Sequence, residues 1–151
     1  MRVADILADK GSRVCIIDHE HPLRDVIGIM HGEKIGAVVI MNGLSGVPIG
    51  IVSMTEVLQA LQQYGASALK HCATGIMRKP PPQCGRDTSL RAAMRQMTLD
   101  RTRHLLVIDD AGAVTGIVSM GDLVAARLEG VELEVNVLRD MAQSHMLSGN
   151  A

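Results

Sequence analysis

The sequence predicts an α/β (α+β) fold built by duplication. Two tandem strand–helix–strand–strand–helix units pack about a pseudo-two-fold axis, and a C-terminal helix follows. Three observations carry this expectation. Gly50-Ile-Val-Ser-Met-Thr-Glu-Val57 recurs as Gly116-Ile-Val-Ser-Met-Gly-Asp-Leu123, 66 residues later. Leu23, Val26, Ile27 and Met30 have the spacing of an amphipathic helix, and Leu90, Ala93, Met94 and Met97 repeat it at an offset of 67. Two apolar, β-branched runs, Ala37–Met41 and His104–Ile108, share that offset.

Each element follows from local chemistry. The first unit, with an N-terminal helix, covers residues 1–65. Its strand Ala37–Met41 ends in the turn Asn42-Gly43-Leu44-Ser45-Gly46, and the second copy ends in Asp109-Asp110-Ala111-Gly112. The extra turn residue in the first copy explains the change of offset from 67 to 66. Residues 66–128 hold a linker and the second unit. Lys79-Pro-Pro-Pro82 within that linker is expected to be extended, because proline blocks helix and restricts the residue before it. Residues 129–151 read as a C-terminal helix and tail. Leu128, Val131, Val135, Leu138 and Met141–Ala142 recur every three or four residues, a stripe expected to pack on the domain or on a partner chain.

Composition excludes several classes. Hydrophobic residues are 47% of the 151, enough for a core. Tyr64 is the only aromatic residue, so stacking platforms for single-stranded nucleic acid are excluded, and ten Met serve as adaptable core filler. The formal charge of -1 offers no general attraction for nucleic acid or an anionic membrane. Three cysteines without a C-x-x-C fit reduced thiols. The longest apolar run is too short to span a bilayer, so a soluble, cytoplasmic protein is expected.

The duplication, its spacing and the paired closing motifs resemble a tandem cystathionine β-synthase (CBS) domain pair, or Bateman module, over about residues 3 to 128. The C-terminal helix is similar to that of small stand-alone bacterial CBS-pair proteins. The resemblance implies a non-enzymatic, homodimeric sensor. It would bind an adenosine-containing regulatory ligand (AMP, ADP, ATP or NAD(H)) between the repeats, with no obligatory cofactor.

By family position the main site holds Ile16, His21, Ile35, Gly36, Arg103, Ile117, Ser119 and Asp122. Asp122 would hold the ribose, Ser119 the ribose–phosphate region and Arg103 the phosphate. Ile16, His21, Ile35, Gly36 and Ile117 would wall the adenine, with Gly36 allowing close backbone approach. The equivalent set Gln83, Thr88, Ile51, Ser53 and Glu56 forms a weaker site, because Glu56 is one methylene longer than the usual Asp. Arg101, His104, Arg78 and Lys79 are further polar candidates nearby.

Bland readings stand beside these. Ser119-x-x-Asp122 and Ser53-x-x-Glu56 are also capping boxes that need no ligand. Asp18-His19-Glu20-His21 reads as a polar loop rather than a metal site. Gly116-Ile-Val-Ser119-Met-Gly121 has one residue too many for a nucleophile elbow. No Walker A or dinucleotide fingerprint is present. The 151 residues hold no effector domain, so the output is expected in an unidentified effector protein or in a change of assembly. The alternative is a ligand-free dimerisation or protein-interaction module.

Overall fold

The computed structural model describes residues 1–43 and 45–149; Leu44 of the first turn and the last two residues of the tail lie outside this range. In the first unit, β1 (Ile16–Asp18), α2 (Leu23–Glu33), β2 (Ala37–Met41), β3 (Pro48–Ser53) and α3 (Met54–Tyr64) follow the expected order, after α1 (Val3–Lys10). The second unit has β4 (Gln83–Gly85), α5 (Leu90–Leu99), β5 (His104–Ile108), β6 (Val114–Ser119) and α6 (Met120–Ser148). Between them stand a 3₁₀ turn (Gly65–Lys70) and the single helical turn α4 (Ala73–Ile76).

Each unit forms its own three-stranded sheet, in the order β1-β2-β3 and β4-β5-β6. The first two strands of each are parallel and the last two antiparallel. The registers repeat as the sequence does. Ile16 pairs with Val39 and Gln83 with Leu106; Ala37 pairs with Ser53 and His104 with Ser119. Even the register shift recurs, at Ile40/Met41 and at Val107/Ile108. The helical stripes face the sheets: Leu23, Val26 and Met30 are buried in one core, Leu90, Ala93 and Met97 in the other.

The helical segments ahead of the two sheets are exchanged. α1 precedes the first sheet, yet Val3, Ile6 and Leu7 are buried with Leu105, Val107 and Val118 of the second. α4 precedes the second sheet, yet Ala73 is buried with Val38, Ile40 and Val52 of the first. Matching backbone bonds hold them: the Val3 N–H donates to the Thr88 carbonyl (2.9 Å), and the Ala73 N–H to the His21 carbonyl (2.8 Å).

This exchange explains the glycine of the repeated Gly-Ile-Val-Ser. A Cβ on Gly50 would lie 2.5 Å from the Met77 sulfur, and one on Gly116 would lie 2.8 Å from Leu7 methyl carbons. Only glycine lets the exchanged segment approach so closely.

The closing helix of the second unit and the C-terminal helix are one continuous α6 of 29 residues. Leu123 and Ala126, near its start, pack on the second core. From Val131 to Gly149 every residue is exposed.

Candidate functional site

Both closing motifs start a helix, and both form the expected cap. The Ser119 hydroxyl accepts the Asp122 N–H (3.1 Å), while the Ser119 N–H donates to Asp122 Oδ2 (2.8 Å). In the first unit the Ser53 N–H donates to Glu56 Oε2 (2.8 Å), and the Ser53 hydroxyl donates to the same oxygen. The longer Glu56 side chain folds back and is buried. Each carboxylate thus stabilises its own helix start without a ligand.

Two clefts open at these helix starts. The first, of about 360 Å³, is lined by Ile35, Gly36, His104, Ile117, Ser119 and Asp122, together with Lys10, Gly11, Arg13, Cys15, Glu33, Lys34 and Ala37. The second, of about 630 Å³, is lined by Ser53, Glu56, Arg78, Arg101, Arg103 and His104, with Gly36, Met54, Thr55, Leu58, Met97, Thr98 and Thr102. Gly36 and His104 line both, so the clefts meet there. Both volumes suit a small-molecule ligand.

The expected set is only partly brought together. Ile35, Gly36, Ile117, Ser119 and Asp122 share the first cleft. Arg103 lines the second cleft instead. Arg103 and His104 line the second cleft together, and of the two only His104 also lines the first. The Arg103 carbonyl is also tied to the start of α6, accepting the Met120 N–H (2.8 Å). Ile16 is 52% exposed and lines neither cleft. His21 stands away from both, beside Asp25 (3.4 Å), and contributes its carbonyl to α4.

Of the weaker set, Ser53 and Glu56 line the second cleft. Ile51 is buried in its sheet, Gln83 offers its carbonyl to the Gln96 amide (2.8 Å), and the Thr88 hydroxyl accepts the Gly85 N–H (3.2 Å). Gly36 lies against the His104 imidazole at the junction of the clefts. A Cβ there would lie 3.1 Å from His104 Nε2, so the imidazole occupies the close approach.

Sequence reasoning missed Lys10. Its ammonium donates to Asp122 Oδ2 (2.6 Å) and to the Ile117 carbonyl (2.9 Å). A lysine in the last turn of a helix reads as a dipole partner, and only the exchange of α1 carries it to the other unit. Burial pushes the Asp122 carboxyl up. The hydrogen bond from Lys10, the Ser119 N–H and the Lys10 charge outweigh that and hold it below the ordinary carboxylate value. Burial likewise holds the His104 imidazole below its usual value, only partly offset by Asp122.

A depressed carboxyl contributes stability above its unfolded pKa, and that contribution is lost as pH falls through the folded value. Replacing Lys10 with Met is therefore expected to raise the Asp122 pKa. The stability difference between the variant and the parent should then shrink under acid conditions. Carboxyl-carbon NMR titration checks the first point, and urea unfolding at neutral and acid pH the second. An unmoved Asp122 titration would show that the ion pair does not form in solution.

The chain belongs to the CBS domain family, which matches residues 3–63 and 73–129. A CBS-domain-containing protein from Agrobacterium tumefaciens is 32% identical with a TM-score of 0.80, covering 83% of this chain and 92% of that one. The CBS domain-containing protein CBSX3, mitochondrial, of Arabidopsis thaliana is 28% identical over 133 residues, 82% of this chain and 63% of that protein. An uncharacterised Methanopyrus kandleri protein is 32% identical over 94 residues, 62% of this chain and 47% of that protein. The chain therefore matches about half to three-fifths of the length of these curated relatives.

Two more distant structures share the fold. A CBS domain protein from Pyrobaculum aerophilum, solved complexed with AMP, has a TM-score of 0.75 at 21% identity, covering 89% of this chain and 99% of that one. The CBS domain pair of protein MJ0100, in complex with 5′-methylthioadenosine and S-adenosyl-L-methionine, has a TM-score of 0.71 at 22% identity, covering 87% and 98%. Among the described residues, no helix is long and apolar enough to cross a membrane.

Proposed function

We propose that this chain is a non-enzymatic regulatory module that binds an adenosine-containing ligand between its two repeats. AMP, ADP, ATP and NAD(H) are the candidates. The observation that carries the reading is the meeting of the two clefts at Gly36 and His104. A nucleoside in the first cleft would set its ribose hydroxyls on Asp122, beside Ser119, and its base against Ile35 and Ile117. Its phosphates would run past His104 to Arg103 and Arg101, whose guanidinium forks suit phosphate oxygens. That path keeps Arg103 as a phosphate ligand although it lines the other cleft. AMP in the P. aerophilum protein supports the ligand class.

The module would act by population shift, as a homodimer in the cytoplasm. A ligand spanning both units favours one relative orientation and alters the surface shown to an effector protein. The exposed Met54, Leu58 and Leu61 of α3 and the bare length of α6 support self-association, and three free cysteines suit a reducing compartment.

The test is thermal unfolding with adenosine, AMP, ADP, ATP and NADH. At 100 times Kd a true ligand stabilises by ~2.7 kcal/mol, a shift of several degrees for a domain of this size. No shift with any compound would reject the reading. It would leave the alternative, a ligand-free dimerisation or interaction module. That alternative draws on the Lys10–Asp122 and Ser53–Glu56 contacts, which engage one oxygen of each carboxylate internally.

A further inference from the structure

We infer that the projecting part of α6 pairs with the same helix of a second copy as a parallel, in-register, two-stranded coiled coil. This deepens the homodimer reading above and is independent of any ligand. The chain from Leu128 to Ser148 extends about 30 Å at the helical rise. Val124, Leu128, Val131, Val135, Leu138 and Ala142 follow one another at alternating spacings of four and three, a heptad seam with Leu128, Val135 and Ala142 at a. Val124, Leu128, Val131, Val135 and Leu138 are all exposed, from 39% to 65%.

The placement of α6 leaves this seam open. Leu123 and Ala126, which pack on the core, occupy the c and f positions, on the opposite side of the helix from a and d. The body thus holds α6 by its back and presents the seam outward.

The charges beside the seam select the occupant. Arg127 and Glu134 fall at g, Glu132 and Arg139 at e. None of the four has an opposite charge three or four residues away in its own helix. In a parallel pair each g residue meets the e residue five places on in the other chain. Arg127 then faces Glu132 of the partner subunit, and Glu134 faces Arg139 of the partner subunit. Symmetry doubles both contacts, so all four are attractive.

The test uses the full chain in sedimentation equilibrium, with circular dichroism to confirm folding. R127E/R139E makes all four contacts repulsive and is expected to raise the dimer Kd by about tenfold or more. Adding E132R/E134R reverses every charge and should restore the parent affinity. Separately, Val131→Cys and Leu138→Cys should each cross-link to its own counterpart under mild oxidation, with the parent as control. An antiparallel pair can bring at most one of these positions onto itself. A dimer that ignores the charge reversal, or cross-links at one position only, overturns this pairing while leaving the homodimer reading intact. A chain that stays monomeric at high micromolar concentration overturns both.

Discussion

Replacing Leu7 with alanine is expected to destabilise the whole protein by about 2–5 kcal/mol, the range for a buried leucine truncation. Leu7 is 2% exposed and fills the space that Gly116 leaves open on the second sheet. Its core neighbours include Leu105, Val107, Val118 and Leu123, far from it in sequence. A cavity there cannot be refilled from Gly116, which has no side chain to move. Because α1 precedes the first unit but packs on the second sheet, unfolding of the first unit would leave α1 to close a long loop to keep that sheet covered. Urea unfolding should therefore stay a single transition, shifted to lower midpoint with an unchanged slope. A loss under about 1 kcal/mol, or two resolved transitions, would contradict the packing described for α1.

The duplication was legible because strand and helix periods are local. Gly50-Ile-Val-Ser53 and Gly116-Ile-Val-Ser119 carry the same steric demands, so the same letters recur. The exchange was not legible. Val3, Ile6 and Leu7 do not resemble Ala73, Ile76 and Met77 in kind, and the single turn of α4 is too short for a helical period to show. The linker consequently read as a connection, although Ala73 is part of a core.

The site shows the same division. Ser119 with Asp122 and Ser53 with Glu56 were readable as helix starts, since a capping box spans only four residues. Lys10 depends on a contact between residues 112 apart, which no local pattern reveals. His21 and Thr88, placed by family position, line neither cleft: the His21 carbonyl accepts the Ala73 N–H, and Thr88 accepts the Val3 N–H on its carbonyl and the Gly85 N–H on its hydroxyl.

The two carboxylates should respond differently to substitution. Asp122→Asn keeps an oxygen to accept the Ser119 N–H, so the helix start is retained, but it loses the charge that would accept the ribose hydroxyls. With the best ligand from the thermal screen, the change should weaken binding by about 1.5–3 kcal/mol, the value of a hydrogen bond to a charged group. That corresponds to roughly a tenfold to hundredfold rise in Kd. The loss includes whatever Lys10 gains or forfeits when its partner becomes neutral. Lys10→Met/Asp122→Asn, compared with each single variant, separates the two effects.

Glu56→Gln should leave the affinity nearly unchanged. Glu56 is buried and turned back on Ser53, whose N–H and hydroxyl both donate to its Oε2 at the helix start. The larger volume and the arginines of that cleft argue for a phosphate path there, not for a second ribose. Arg103→Ala should accordingly weaken AMP more than adenosine, while Asp122→Asn weakens both alike. Calorimetry on the three variants with the two compounds decides the arrangement. A larger loss at Glu56 than at Asp122 would move the ribose to the other helix start and reject the assignment.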